Sequence, residues 1–386
     1  MRICVVTQNH PGVVMGGAEY QSHLVAQELA TRPGVDVFFL ARGVPATATH
    51  GEPPYHVRSI RQPWRLARRS LTVDAARLMR ALRDIRPDAI YQRMRISYTG
   101  VCQYYAAAAG IPLFVHVASD FDLDPRLLRP GRLSFNLPFE LLDAAIGNWG
   151  LRRAAQVVLQ TDRQARMLRQ KYGREAAFVV HNCQPLPDRL HRRDDQLLRV
   201  VWIGNLKPIK RPELFVELAR RLAHVSNAEF LMVGRTYDER YSAIVHGRGA
   251  PPNLRYLGPL PHADVLDLLA RSHVLVNTST TEGSPNTFIE AWSRGAVVAS
   301  LEVDVDRTLR DRGVGLHAGT MENLVAQVES ILRSPENRDR MTSRAFDYVH
   351  ETHSMANVRR LCDAMIAVAG CGPLSRSVVS GRGKGP

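Results

Sequence analysis

The strongest constraint on this chain is an alternation that runs through it twice. Short apolar runs bounded by polar residues fall at Arg2–Gln8, Val35–Leu40, Asp88–Arg93, Ile111–His116, Gln156–Leu159 and Ala177–Val180, with helix-patterned stretches between several of them. The series restarts at Val200–Gly204 and continues through Glu229–Val233, Leu254–Leu260, His273–Thr278 and Ala296–Ser300. Continuous runs of this kind suit strands buried on both faces, and helices between them make neighbouring strands parallel. Between the two series, Pro185-Leu186-Pro187-Asp188-Arg189 through Gln196 is polar, charged and proline-broken, and reads as a connection. At 386 residues the chain is long for one core, so two α/β domains are expected.

Composition narrows the partners. A hydrophobic share of 45% and a mean hydropathy of −0.19 fit a globular protein, and no apolar run reaches the roughly 18–20 residues that span a bilayer. Met1-Arg2-Ile3-Cys4-Val5-Val6-Thr7 is too short an apolar run for a signal peptide and reads as a strand. Cys4, Cys102, Cys183, Cys362 and Cys371 are odd in number and lack Cys-x-x-Cys spacing, which argues against a disulfide framework or a zinc site and for a reducing cytoplasm. The net charge of +14 calls for anionic partners: nucleic acid, acidic phospholipid, or nucleotide-linked and lipid-diphosphate substrates.

One stretch carries most of the chemistry. After the strand His273–Thr278 comes Thr280-Thr281-Glu282-Gly283-Ser284-Pro285-Asn286-Thr287-Phe288-Ile289-Glu290-Ala291-Trp292. Phe288 to Arg294 reads as a helix that stops at Gly295, with Ser284 suited to its N-cap and Pro285 to a first helical position. Strand, short loop and helix N-terminus together present amides and a positive dipole end to an anion. A carboxylate beside a phosphate is costly, so Glu282 and Glu290 need another task, and accepting hydrogen bonds from sugar hydroxyls is one. An exposed loop glutamate and an ordinary helix glutamate are the plainer reading.

The Glu-Gly pair with a second Glu eight positions on resembles the retaining glycosyltransferases of family 4, whose fold is GT-B: two Rossmann-like domains facing a cleft. The resemblance implies that Glu282 contacts the transferred sugar, that Glu290 holds the ribose, and that the diphosphate lies over Ser284, Asn286 and Thr287. Gly16-Gly17-Ala18-Glu19 matches the paired-glycine loop that faces the donor. His116, closing a strand, matches a histidine that touches the sugar, although a satisfied structural histidine fits the sequence too. Lys210 matches the lysine that binds the diphosphate. Where the family usually has an arginine after Gly204, this chain has Asn205, and Lys207 is available to replace the charge or to face solvent. Leu260 falls in the turn, Gly258–Leu260, that holds the base.

The same resemblance implies an acceptor domain over 1–190, a donor domain over 191–344, and a terminal helix (345–369) that crosses back to the first. Residues 370–386 read as a disordered tail. The reaction implied is retaining transfer from a UDP- or GDP-linked sugar to a glycan or lipid-linked acceptor, in bacterial polysaccharide or glycolipid synthesis. No cofactor and no metal are implied; Asp120, Asp122 and Asp124, like Asp304-Val305-Asp306, read as caps or loop carboxylates. The arginines between Arg58 and Arg86, with Trp64 and Leu66 among them, form either a solvated face or a surface for anionic lipid on the inner side of a membrane. Two other readings compete: a GT-B sugar-nucleotide 2-epimerase, with Asp120 enlisted, and a basic nucleic-acid-binding protein. The second lacks any helix-turn-helix, zinc or aromatic-sheet motif, so nucleic acid is not an expected partner.

Overall fold

The computed structural model describes residues 1–14, 16–44, 53–61, 72–126, 137–190, 193–236, 241, 243 and 250–371. The chain divides into two compact units, Met1–Asn182 with Met355–Pro386, and Cys183–Ser354. The junctions read from the sequence lay at 190/191 and 344/345.

In the first unit the strands are β1 (Arg2–Asn9), β2 (Asp36–Gly43), β3 (His56–Ser59), β4 (Ala89–Arg93), β5 (Leu113–His116), β6 (Gln156–Leu159) and β7 (Phe178–Val179). Its helices are α1 (Gly17–Ala30), α2 (Ala75–Ile85), α3 (Ser97–Ala109), α4 (Leu137–Arg153) and α5 (Asp162–Tyr172). The sheet order is β3-β2-β1-β4-β5-β6-β7, parallel at every ladder. In the second unit come β8 (Leu198–Ile203), α6 (Pro212–Arg221), β9 (Ala228–Val233), β10 (Leu254–Gly258), α7 (His262–Ala270), β11 (Val274–Asn277), α8 (Asn286–Arg294) and β12 (Val297–Ser300). They are followed by α9 (Thr308–Arg312), β13 (Gly315–His317), α10 (Met321–Arg333) and α11 (Pro335–Thr352). This sheet runs β10-β9-β8-β11-β12-β13, again parallel. The last helix, α12 (Ala356–Gly370), belongs to the first unit.

Both sheets are covered on both faces, which is why their strands are apolar throughout: Ile3, Cys4, Val5 and Val6 in β1, and Val200 and Val201 in β8, are fully buried. Strand order reverses between β1 and β4 and between β8 and β11. In open parallel sheets ligands gather at such a point, outside the carboxyl ends of the strands. Helix limits follow local chemistry. The Thr161 hydroxyl accepts from Gln164 N at 3.1 Å to start α5, and Gly173, at φ 62°, ends it.

Two features were not evident from the sequence. β3 has every side chain exposed, so it lacks an apolar pattern. The pair α3 and α4 packs through glycines: a Cβ on Gly150 would fall 2.6 Å from Gly100 N, so only glycine lets the two backbones approach this closely. α12 lies on α1, with Asp363 paired to Arg32 at 3.0 Å and Asn357 Nδ2 donating to His181 O at 3.3 Å.

Candidate functional site

In the second unit, the residues singled out by sequence meet at the carboxyl ends of β8 and β11. After β8 the chain runs Gly204-Asn205-Leu206-Lys207 into a single 3-10 turn, Pro208–Lys210, and then α6. Leu206 is buried and anchors this loop, while Asn205 and Lys207 are exposed. Gly234, at φ 150°, comes so close that a Cβ there would strike the Gly204 carbonyl. The loop after β11 is stitched to the 3-10 turn. Trp202 Nε1 donates to Thr278 Oγ1 at 2.9 Å, and Thr278 Oγ1 donates to Lys210 O at 2.7 Å. Arg211 Nε donates to Thr278 O at 2.7 Å, and Thr280 N to Ile209 O at 3.0 Å. Arg211 sits at φ 47°, a conformation unfavourable for a non-glycine residue, and is held there from both loops.

This stitching brings Lys210 onto Glu282 as an ion pair, with Ser279 Oγ donating to the same carboxylate oxygen at 2.7 Å. Eight residues on, Glu290 lies on the buried face of α8 and accepts from His262 Nε2 at 3.0 Å; a carboxylate can only accept, so the imidazole proton there is on Nε2. α8 begins at Asn286, two residues before the sequence expectation, and its N-cap is Pro285 rather than Ser284. Proline offers no side-chain acceptor, so the N-cap residue makes no side-chain capping hydrogen bond. The amides and positive dipole end of a helix N-terminus suit an anionic ligand. Tyr256 OH donates to Gly234 O at 2.6 Å, and Gly258, at φ 71°, turns the chain toward the partly buried Leu260.

In the first unit the expected residues gather at the ends of β1, β4 and β5. Gly16 N-caps α1 in extended backbone, and Glu19 is buried. The Glu19 carboxyl is raised above its usual range by burial, against hydrogen bonds from its own amide and from Asn9, and it fastens the glycine loop. His116 is 2% exposed, with Nδ1 at 2.8 Å from Tyr91 OH and 3.0 Å from Arg93 Nη1. A guanidinium can only donate, so Nδ1 accepts and the ring proton sits on Nε2. Burial, with the Arg93 charge second, holds the imidazole well below its ordinary pKa, so it is neutral. Arg93 itself, at the carboxyl end of β4, is 1% exposed and donates from Nη2 to Asn182 Oδ1 at 2.8 Å. Its Nε is buried without a partner.

The acidic clusters are structural. Asp122 accepts from the amides of Ala118 and Ser119 at 2.8 and 3.2 Å, Asp120 pairs with Arg163 at 3.1 Å, and Asp124 pairs with Arg126 at 2.7 Å. Asp304 accepts from Leu309 N at 2.8 Å. Among the described residues no group of three or more His, Cys, Asp or Glu could hold a metal ion. Of the basic stretch, Arg58 pairs with Asp84 at 2.8 Å, whereas Trp64, Arg65, Leu66, Arg68 and Arg69 lie outside the described residues. Sequence reasoning missed Arg211, Thr278, Ser279 and His262, whose roles rest on partners distant in the chain.

Comparisons with known proteins bear on the family and the fold. The family model for glycosyl transferases group 1 matches residues 188–348, and that for glycosyltransferase family 4 matches 15–184. Glycosyltransferase 1 domain-containing protein 1 of Xenopus tropicalis is 24% identical over 168 residues, which is 43% of this chain and 49% of that protein. The match therefore spans about half the length of that relative. Among solved structures, sucrose-phosphate synthase from Thermosynechococcus elongatus superposes with a TM-score of 0.76 at 13% identity, over 95% of this chain and 98% of that one. Anabaena HepE, in complex with UDP and glucose, gives 0.73 at 18% over 95% and 99%. WaaG, a glycosyltransferase involved in lipopolysaccharide biosynthesis, gives 0.73 at 15% over 94% and 99%. Two consecutive family models and two parallel-sheet units of matching fold lead to one assignment: the chain belongs to the family 4, group 1 glycosyltransferases and has their GT-B fold.

Proposed function

We propose that the chain is a retaining glycosyltransferase that takes a UDP- or GDP-linked sugar on its second unit and passes the sugar to a glycan or lipid-linked acceptor on its first. The observation that carries this reading is the placement of the Lys210–Glu282 pair and of Glu290 in the loop and helix that follow β11, at the point where strand order reverses. The bond from the sugar C1 to the diphosphate oxygen breaks, and a bond from C1 to the acceptor oxygen forms on the same face. The acceptor proton passes to the departing diphosphate. Lys210 and the amides at Asn286 and Thr287 offset the charge that grows on the leaving group. Glu290 holds the ribose hydroxyls, with His262 fixing one of its oxygens. Glu282 holds a hydroxyl of the sugar. Lys210 and Glu282 neutralise each other in their ion pair, so donor binding separates them.

His116, neutral and with its proton on Nε2, is suited to donate to the sugar rather than to act as an imidazolium. Against a 2-epimerase, the carboxylate such chemistry would enlist, Asp120, is paired with Arg163. A bacterial polysaccharide or glycolipid setting and a peripheral place on the inner membrane face belong to the same proposal. Calorimetry with UDP and GDP, followed by a screen of nucleotide sugars for slow hydrolysis, tests it. Binding of one diphosphate and turnover of one sugar donor are expected. Stabilisation by DNA alone, with neither nucleotide bound, would overturn it.

A further inference from the structure

Arg211 holds a backbone conformation that its residue type disfavours. It sits at φ 47° and ψ 58°, the left-handed region, where a β-carbon crowds the following carbonyl. Pro212 comes next, and the residue before a proline favours extended backbone. Strain of this kind persists only where the surroundings fix it, and it gathers at sites that depend on a set geometry. Here the Arg211 side chain supplies the fixing bonds. Nε donates to Thr278 O at 2.7 Å, Nη2 to Ser279 O at 3.4 Å and Nη1 to Glu302 Oε1 at 2.6 Å. In return the Thr278 hydroxyl lies 3.0 Å from Arg211 O.

These partners belong to three loops. Arg211 ends the loop after β8, Thr278 and Ser279 open the loop after β11, and Glu302 lies in the loop after β12. The three strands are neighbours in the sheet. One planar guanidinium, with its donors in a fixed fork, thus sets the spacing of three adjacent strand ends. Stability does not account for the arrangement. The Arg211 side chain is 20% exposed and that of Glu302 43%, and an ion pair so open to water adds little. What the fork reaches is Glu282. Ser279, whose carbonyl it holds, gives its hydroxyl to the Glu282 carboxylate, while Asn277 Oδ1 accepts from Ser279 N at 3.2 Å. Glu290 is held from another direction, by His262 on α7.

We infer that Arg211 is a positioning residue. Its fork fixes Ser279, and through Ser279 the Glu282 carboxylate, so that Glu282 keeps its place when Lys210 turns to the donor. This role rests on the proposed function, in which Glu282 meets the sugar and Glu290 the nucleotide. The clamp itself stands on the bonds among the three loops.

Two substitutions test it. In Arg211→Gly the backbone accepts φ 47° without strain but the fork is gone. In Arg211→Lys the charge and the strain remain, but an ammonium cannot bond three acceptors in one plane. Both should lower kcat for hydrolysis of the sugar donor about tenfold or more, while calorimetric affinity for UDP or GDP stays at the wild-type value. Arg211→Gly should keep the wild-type melting curve, because relief of strain offsets the lost bonds. Millimolar guanidinium chloride, against potassium chloride at equal ionic strength, should restore part of kcat in Arg211→Gly and none in Arg211→Lys, whose side chain fills the space. Hydrogen exchange at the Ser279 and Thr280 amides should quicken roughly tenfold in both variants. Wild-type kcat in both variants would overturn the inference. So would wild-type exchange at those two amides, or parallel falls in kcat and nucleotide affinity, the mark of a general loosening. If the wild type binds neither nucleotide and turns over no donor, the proposed function fails instead, and the exchange rates alone decide whether Arg211 clamps the loops.

Discussion

The two units place polar residues at the same point of the same kind of sheet, yet handle them differently. In the second unit Lys210 and Glu282 sit in loops, partly exposed and paired with each other. In the first, Arg93 and His116 sit on strand ends and are almost wholly buried among Tyr91 and Asn182. A loop pair can open for a ligand at little cost, because water competes for both partners. A buried cation held by neutral groups is fixed in place, and its removal disturbs everything around it. The comparison teaches that one end is built to exchange partners and the other to hold a geometry.

The broadest test is acid. Burial holds His10, His23 and His116 of the first unit below the usual imidazole value, His23 at about 4, whereas in the second unit His273 is so held, also at about 4. An imidazole depressed on folding leaves the unfolded chain with more bound protons below about pH 6.5, so stability falls as pH drops from there toward 4. The buried Glu19 and Asp122 carboxyls, raised on folding, act in the opposite sense as they protonate and soften the fall. With three such imidazoles against one, the first unit should be cut by protease before the second as pH falls. Earlier cleavage within 183–354 would reverse the comparison.

Next in size is Arg93→Ala, which strands Asn182 Oδ1 and leaves a cavity. A loss of about 3 kcal/mol in urea unfolding of the first unit is expected, against about 1 kcal/mol or less for Lys210→Ala in the second. Near-equal losses would show that burial does not separate the two clusters.

Glu290→Ala should weaken nucleoside diphosphate binding roughly tenfold or more, the worth of a hydrogen bond to a charged group. Glu282→Ala should mainly lower turnover. Unchanged calorimetric affinity in Glu290→Ala would remove its ribose role. The finest distinction concerns the two loop lysines: Lys210→Ala should slow turnover more than Lys207→Ala, since Lys210 is ion-paired with Glu282. The reverse order would mean that Lys207 supplies the charge missing at Asn205.

What the sequence revealed and what it concealed follow from the range of the interactions. The buried strands were legible because Ile3–Val6 and Val200–Trp202 carry their environment in their composition, and α5 because Thr161 and Gly173 mark its ends locally. β3 was not, since His56–Ser59 is exposed along its length. The packing of α3 on α4 was concealed by Gly100 and Gly150, residues that read as weak points in a helix. Within the site, Glu282, Glu290 and Lys210 came from motif spacing. Their partners did not, because His262 is 28 residues from Glu290, Lys210 72 from Glu282, and Arg93 89 from Asn182. The N-cap of α8 was assigned to Ser284 because a proline suits the first helical position, whereas Pro285 is itself the cap.

The placement of α12 has a consequence for biosynthesis. Cys362 Sγ approaches Val25 O at 3.9 Å across a separation of 337 residues, so the two helices that meet there are synthesised far apart in time. At about 5–20 residues per second, tens of seconds pass between the emergence of α1 and that of α12. The second unit is contiguous and can complete its fold during that interval, while the first waits with one face of α1 uncovered. The unit synthesised first is therefore the last to be finished, and a nascent chain arrested before Ala356 should present that bare face to chaperones.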